Sequence, residues 1–176
     1  MRGHEQYMSQ TKPQRIARAI YRIDSSGKMG AQLTEMLERE NTDQEKVALI
    51  VNSASYDRVS YALSIANISA ANLKDVYVFF TYGAVLRLLA DRADEIGEET
   101  NAWIRESAKK GLENGSMRRI SELLQFAKSF GVKIYACSAA IAFHNIREEE
   151  LVTIDGVMGI SSFLEKVQGA SSILYI

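Results

Sequence analysis

The sequence has very few residues of the kinds that bind metals or form cross-links. Its 176 residues include one cysteine, Cys137, and two histidines. One cysteine cannot form an internal disulfide, so the fold does not depend on an oxidising compartment. No CxxC or HExxH spacing occurs, and we expect neither a structural nor a catalytic zinc site. The phosphate loops GxGxxG and GxxxxGK(S/T) are missing too, so no nucleotide or other cofactor is expected.

Long apolar runs and a strong excess of one charge are also missing. No stretch approaches the roughly 20 apolar residues that span a bilayer. The basic N-terminus lacks the apolar segment of a signal peptide, and we expect a cytoplasmic protein without a membrane span. A net charge of -1 does not provide the positive electrostatic potential that attracts nucleic acid. Arg15, Arg18 and Arg22 share one predicted helical face. We favour a solvent-exposed face over one that binds RNA or an acidic partner.

What the chain does contain is an alternation of short apolar runs with amphipathic segments. Helices are predicted from the periodicity at Tyr56–Asn67, Ala84–Ala90 and Glu99–Leu112, among others. Apolar runs typical of buried strands are Val47–Val51, Val76–Thr81, Val132–Cys137 and Ser172–Ile176. The alternation predicts one three-layer α/β domain at residues 46–176, with a mostly parallel sheet of about five strands. Residues 1–45 are predicted to form a helical extension whose first ten or so residues are disordered.

Ligands of such sheets bind outside the carboxyl ends of the strands, where three loops are expected to converge. These loops are Asn52–Tyr56, Thr81–Val85 and Cys137–Ala140. Cys137 ends a strand and the next residues begin a helix, whose free N–H groups would stabilise a thiolate. A thiolate suits sulfur transfer or redox chemistry. The alternative is a buried cysteine that acts only as a small hydrophobe, and position alone slightly favours it.

A resemblance to a known family changes that balance. The segment Gly131–Ala140 (GVKIYACSAA) is followed by Ile146, Glu149-Glu150-Leu151, and Asp155-Gly156-Val157 with Phe163-Leu164. This pattern resembles the DsrE/DsrF family of small α/β proteins of sulfur metabolism, some of which are labelled peroxiredoxin-like. The likeness covers roughly Lys46–Ile176 and leaves residues 1–45 unexplained. Asn145 stands where many relatives have glycine, and asparagine also tolerates a left-handed turn.

The resemblance implies a role for the cysteine and an assembly state. In sulfur-relay members, a cysteine at this strand-to-helix position accepts a persulfide sulfur and passes it on. Cys137 matches that position, so its persulfide is the implied working state, with a sulfur donor or acceptor protein as partner. Relatives commonly form homo-trimers or hexamers, so self-association is expected as well.

Other residues near the three loops are candidates for lining the site. Ser55 is also a candidate helix cap, and the favoured interpretation of His144 is a surface or subunit contact rather than a thiolate partner. Trp103, in a charged segment, predicts a subunit interface or a lid over the site. The candidate lining residues are Asn52, Ser53, Ser55, Tyr82, Gly83, Ser138 and His144.

Three functions therefore stay open. The first is a persulfide-carrying sulfur-relay protein or sulfurtransferase component, which predicts a reactive, partly exposed Cys137. The second is a thiol-redox protein, in which a sulfenate on Cys137 would need a thiol from outside the chain. The third is a non-enzymatic, oligomeric binding module of the same fold. The sequence does not decide whether the protein is an enzyme.

Overall fold

The computed structural model describes residues 45–176, and these form an α/β domain around one parallel sheet. Residues 1–44, which contain nearly all of the predicted helical extension and Arg15, Arg18 and Arg22, lie outside the described residues. The sheet order is β4-β3-β2-β1-β5, and each neighbouring pair is parallel. The strands are β1 Lys46–Val51, β2 Asp75–Phe80, β3 Lys133–Cys137, β4 Gly156–Met158 and β5 Ser172–Tyr175. The predicted fold class is confirmed.

Helices and short 3-10 segments connect these strands. The α-helices are α1 Tyr56–Ala71, α2 Ala102–Glu113, α3 Ile120–Ser129, α4 Ser138–His144 and α5 Ile160–Lys166. The 3-10 segments are Tyr82–Leu88 and Glu148–Glu150. None of the described helices has the length and apolar composition needed to cross a membrane.

The two faces of the sheet are covered by different helices. Crossovers between parallel strands are right-handed, so α1 and α3, on the way from β1 to β2 to β3, lie on one face. The return from β4 to β5 runs the other way and places α5 on the opposite face. There Phe163 of α5 stacks on Phe79, with 4.7 Å between ring centroids, and meets Tyr135 edge-on. The strand positions on the α5 face are therefore those of Phe79 and Tyr135.

Three helix boundaries differ from those that the sequence predicts. α1 continues past Asn67, where we expected it to end, and stops at Ala71, shortly before Leu73 takes a left-handed backbone with φ of 61°. Asn67 is buried and donates its side-chain amide to the Leu123 carbonyl. The predicted helix at Ala84–Ala90 is instead the 3-10 segment Tyr82–Leu88, which begins with a bond from Ala84 N–H to Thr81 O, three residues back. α2 begins at Ala102 rather than Glu99, because Asn101 caps it by accepting from Trp103 N–H.

Candidate functional site: a cleft at the carboxyl edge

A cleft of about 480 Å³ opens at the carboxyl ends of β1, β2, β3 and β5. The strands contribute Ile50, Phe79, Cys137 and Tyr175 to it. Ile50 pairs in register with both Phe79 and Tyr175, so these side chains share the α5 face of the sheet. We call this space the Cys137 cleft.

Loops and helix starts complete the lining of the Cys137 cleft. Asn52, Thr81 and Tyr82 come from the loops that follow β1 and β2. The helices add Ala139, Ala140, Phe143 and Ile160. Since α4 and α5 begin at this edge, short side chains at 139 and 140 leave the space open while Phe143 and Ile160 form its outer wall.

Cys137 is the last residue of β3 and is directly followed by α4. Period-two alternation puts it on the same face as Tyr135, which is the face with the cleft. The residue is only 6% exposed, and it lines the cleft. This is less exposure than the persulfide hypothesis anticipates for a partly exposed thiol. A reagent can therefore reach the sulfur only by entering the cleft.

Of the three predicted lining residues in the first loop, one lines the cleft and two do not. Asn52 lines the cleft, and its backbone N–H donates to the carbonyl of Ile176 at 2.8 Å. Ser53 and Ser55 do not line it. The Ser53 hydroxyl accepts from Ser55 N–H at 3.2 Å, and the Ser55 hydroxyl donates to Asp57 at 2.5 Å. Ser55 occupies the cap position of α1, but its hydroxyl bonds the Asp57 side chain rather than a free N–H of the helix.

The second loop brings an exposed tyrosine to the cleft. Tyr82 has a left-handed backbone, with φ of 45°, and its ring lies at the rim. Gly83 does not line the cleft, but a Cβ at this position would lie 3.1 Å from the Cβ of Ala54. Glycine therefore permits the close contact between the first two loops.

The remaining predicted residues lie beside the cleft rather than in it. His144 places Nε2 at 3.2 Å from the Tyr82 carbonyl oxygen, and no hydrogen bond between the described residues joins it to Cys137. Ser138 is exposed and faces Gly159, the residue before α5. Trp103 is almost fully exposed and does not line the cleft, so its role in a subunit interface stays a prediction.

Five aromatic or apolar lining residues were not predicted from the sequence, and two of them could have been found. Phe143 is three and four residues after Ala140 and Ala139, which places all three on one side of α4. Tyr175 ends a parallel strand, so it must reach the same edge as Cys137. Ile50, Phe79 and Ile160 give no such indication, because their place in the cleft depends on how α5 lies over the sheet.

A second group of residues at the carboxyl edge is polar, and its donors and acceptors form hydrogen bonds with one another. Arg87 is 3% exposed, and its guanidinium donates to the carbonyl oxygens of Ala54 at 2.8 Å and Arg92 at 2.9 Å. It also bonds the carbonyls of Ala93 and Glu95, and at 2.5 Å the Glu99 carboxylate. We call these groups the Arg87 cluster. It connects the first loop to the segment that leads into α2.

The Glu99 carboxylate is held in its charged form by this cluster. Burial alone would favour the protonated acid. The N–H groups of Gly97 and of Glu99 itself, the Thr100 hydroxyl and the Arg87 guanidinium outweigh it, and together they hold the pKa of Glu99 below its usual 4.5. Among residues 45–176 no group of three or more His, Cys, Asp or Glu side chains is placed to bind a metal.

The family profile of the DsrE/DsrF-like family matches residues 45–176. This chain belongs to the DsrE/DsrF-like family. The family is linked to sulfur relay, and its members are often oligomeric. The resemblance drawn from the sequence around Cys137 is confirmed.

The comparison with solved structures gives a similarity at low sequence identity, and the comparison with curated proteins gives no match. The crystal structure of the YchN protein from E. coli is similar to this DsrE/DsrF-like protein, with 16% sequence identity and a TM-score of 0.49. The similarity covers 76% of this chain and 99% of YchN.

Proposed function

We propose that this DsrE/DsrF-like protein carries sulfur as a persulfide on Cys137, either as a relay protein or as a sulfurtransferase component. The observation that carries the proposal is that the chain's one cysteine lines an open cleft at the carboxyl edge of a parallel sheet. This edge is where ligands of parallel sheets bind. Membership of a family linked to sulfur relay supports the same function.

The transfer needs only thiol–disulfide exchange chemistry. The Cys137 thiolate attacks the outer sulfur of a hydropersulfide, R–S–SH. A bond forms between Sγ and that sulfur while the donor's S–S bond breaks, which leaves a Cys137 persulfide and a thiolate, R–S⁻. Attack by an acceptor thiolate on the outer sulfur repeats the exchange and restores Cys137. The transferred sulfur keeps its oxidation state, so neither an oxidant nor a reductant is needed.

The cysteine count favours retention of the sulfur. A second thiol nearby would attack the Cys137 persulfide, release sulfide and close a disulfide. Cys137 is the only cysteine of the chain, so that reaction is not available within one molecule. Because the chain has one cysteine, the redox alternative needs a thiol from another molecule to reduce a sulfenate on Cys137. In the non-enzymatic alternative, Cys137 has no chemical role.

Self-association is part of the proposal. The edge strand β5 exposes Ile173 and Leu174, which alternation places on opposite faces of the sheet. An exposed apolar edge strand promotes pairing with another chain unless it is covered. We expect further copies of this chain as partners, along with a sulfur donor or acceptor protein. The cytoplasmic location and the division into 1–45 and 46–176 stay predictions.

The test is sulfur loading measured by intact mass. The full chain is treated with benzyl hydropersulfide, desalted, and weighed before and after reduction. We expect a gain of the mass of one sulfur atom that reduction removes, and no gain in Cys137→Ser. Ser138→Ala is the matched control, because Ser138 is exposed beside Cys137 but outside the cleft, and it should load like the wild type. An unloaded wild type, in a tube where added glutathione becomes persulfidated, would contradict the proposal.

A further inference from the structure

We propose that the sulfur donor for Cys137 is a small organic hydropersulfide with an uncharged alkyl or aryl carbon portion, which enters in its neutral form R–S–SH, in preference to an anionic donor such as thiosulfate. This inference rests on the proposed persulfide function and adds the chemical class of the donor. The cleft volume of about 480 Å³ is within the range of small-molecule sites.

The described part of the cleft lining carries no charged side chain. No described lining residue of the Cys137 cleft is Lys, Arg, His, Asp or Glu. Most of the wall is apolar, and its polar side-chain groups are the amide of Asn52 and the hydroxyls of Thr81, Tyr82 and Tyr175. An anion that entered would lose water without gaining a cationic partner, which costs free energy. An uncharged alkyl or aryl group has no such cost and buries apolar surface.

Two basic residues in the segments that line the cleft have partners elsewhere. The guanidinium of Arg87 donates to four carbonyl groups and to the Glu99 carboxylate, so it is not directed at the cleft. His144 follows Phe143 in α4, but its Nε2 lies against the carbonyl of Tyr82. Neither cation is placed to neutralise an anion beside Cys137.

Access to the Cys137 sulfur also favours a small donor. Cys137 is 6% exposed, so its sulfur is reached through the cleft rather than from the surface. A donor of a few heavy atoms can enter a space of this size, whereas a cysteine on a folded protein would have to be presented on a protruding segment. Exposed rings of Tyr82, Phe143 and Tyr175 stand at the rim and offer apolar contact to an entering alkyl or aryl group.

The same lining favours departure of the product. Attack by the Cys137 thiolate on the outer sulfur breaks the donor's S–S bond, and the electron pair of that bond leaves on R–S⁻. The hydrogen stays on the transferred sulfur, and the one negative charge moves from Cys137 to the leaving thiolate. Because no cation lies among the described lining residues to retain it, the thiolate leaves to water, where it is solvated and can be protonated.

The test compares reagents with the same reactive group that differ chiefly in charge. Propyl, sulfonatoethyl and trimethylammonioethyl methanethiosulfonate are neutral, anionic and cationic. Each converts a cysteine thiolate into a mixed disulfide and releases methanesulfinate. Rates with the full chain are divided by the rate of the same reagent with free N-acetylcysteine. We expect the normalised rate of the neutral reagent to exceed both others by about tenfold, a difference of about 1.4 kcal/mol in barrier. Equal normalised rates, or a preference for the anion, would overturn the inference.

Charge placed at the rim should redirect this preference. Phe143 is 77% exposed, so Phe143→Lys and Phe143→Glu should fold like the wild type. We expect the lysine variant to raise the relative rate of the anionic reagent and the glutamate variant to raise that of the cationic one. The control is Phe130→Lys, since Phe130 is also exposed but does not line the cleft, and it should change neither ratio. Equal shifts in the control and in Phe143→Lys would show a general charge effect and contradict the inference.

Sulfur loading separates this inference from the proposed function. Benzyl hydropersulfide and thiosulfate are compared as donors by the mass assay, each relative to its reaction with N-acetylcysteine. Faster loading from benzyl hydropersulfide supports both proposals. Equal loading from both donors leaves the persulfide function intact and overturns the preference. Failure of every donor to load Cys137, with the neutral reagent still preferred, overturns the function and leaves the cleft as a site for uncharged ligands.

Discussion

Arg87 and Cys137 lie at the same edge of the sheet and are almost equally enclosed, at 3% and 6% exposed, yet their surroundings differ. The Arg87 guanidinium donates to acceptors of the neighbouring loops and lies 5.5 Å from the centroid of the Tyr56 ring, so its charge stabilises the fold. The Cys137 side chain has no hydrogen-bond partner among the described residues and faces an open cleft. The polar group that holds the loops is thus separate from the group available for chemistry. Substitution should therefore affect stability at one residue and reactivity at the other.

The largest expected effect contrasts Arg87→Met with Cys137→Ala. Methionine would leave four carbonyl groups and the Glu99 carboxylate without their donor. We expect a loss of about 3–5 kcal/mol in the free energy of unfolding, as for other broken buried ion pairs. Cys137→Ala removes one sulfur beside space that is already open, and should cost about 1 kcal/mol. Urea unfolding of both variants measures the difference.

Arg92→Met is the control for this comparison. Arg92 is exposed and contributes only its backbone carbonyl to the Arg87 cluster, so the variant should unfold within about 0.5 kcal/mol of the wild type. If Cys137→Ala were as costly as Arg87→Met, Cys137 would be a packed core residue. The separation between the two regions would then be wrong.

A smaller effect should appear in acid. The pKa of Glu99 is lowered in the folded protein, so its contribution to stability is complete above the usual 4.5 and is lost as the pH falls through the folded value. Glu99→Gln removes this titration. Wild-type stability should fall more steeply below about pH 4.5 than that of the variant. Urea unfolding at a series of pH values measures the two slopes.

Other carboxylates do not obscure this result. Burial would raise the pKa of Asp155, but Lys128, at 2.7 Å, and the Ile134 N–H outweigh it and lower the pKa. Asp155 titrates in both proteins and therefore cancels in the difference. Parallel curves for wild type and Glu99→Gln would show that the Arg87 cluster does not depend on the Glu99 charge.

The sheet and the position of Cys137 could be predicted because both depend on local pattern. Apolar runs of five or six residues between helical segments define parallel strands, and the small residues after Cys137 mark the strand-to-helix junction. Tyr175 joins the cleft because β5 returns beside β1, and local sequence does not specify that strand order. The Arg87 cluster depends on the path of residues 89–101, which has no apolar periodicity to read. Its arginine therefore gives no indication in the sequence of being buried.

The most direct test of the account is the rate at which iodoacetamide modifies Cys137 in the folded protein. A thiol that faces an open cleft should react without unfolding, so we predict a rate that is unchanged by low concentrations of urea and that rises only near the unfolding transition. Iodoacetamide is small and uncharged, as the proposed donor is. A rate that follows the unfolded fraction at every urea concentration would mean that the cleft does not admit a reagent. Cys137 would then be part of the core rather than the site of sulfur transfer.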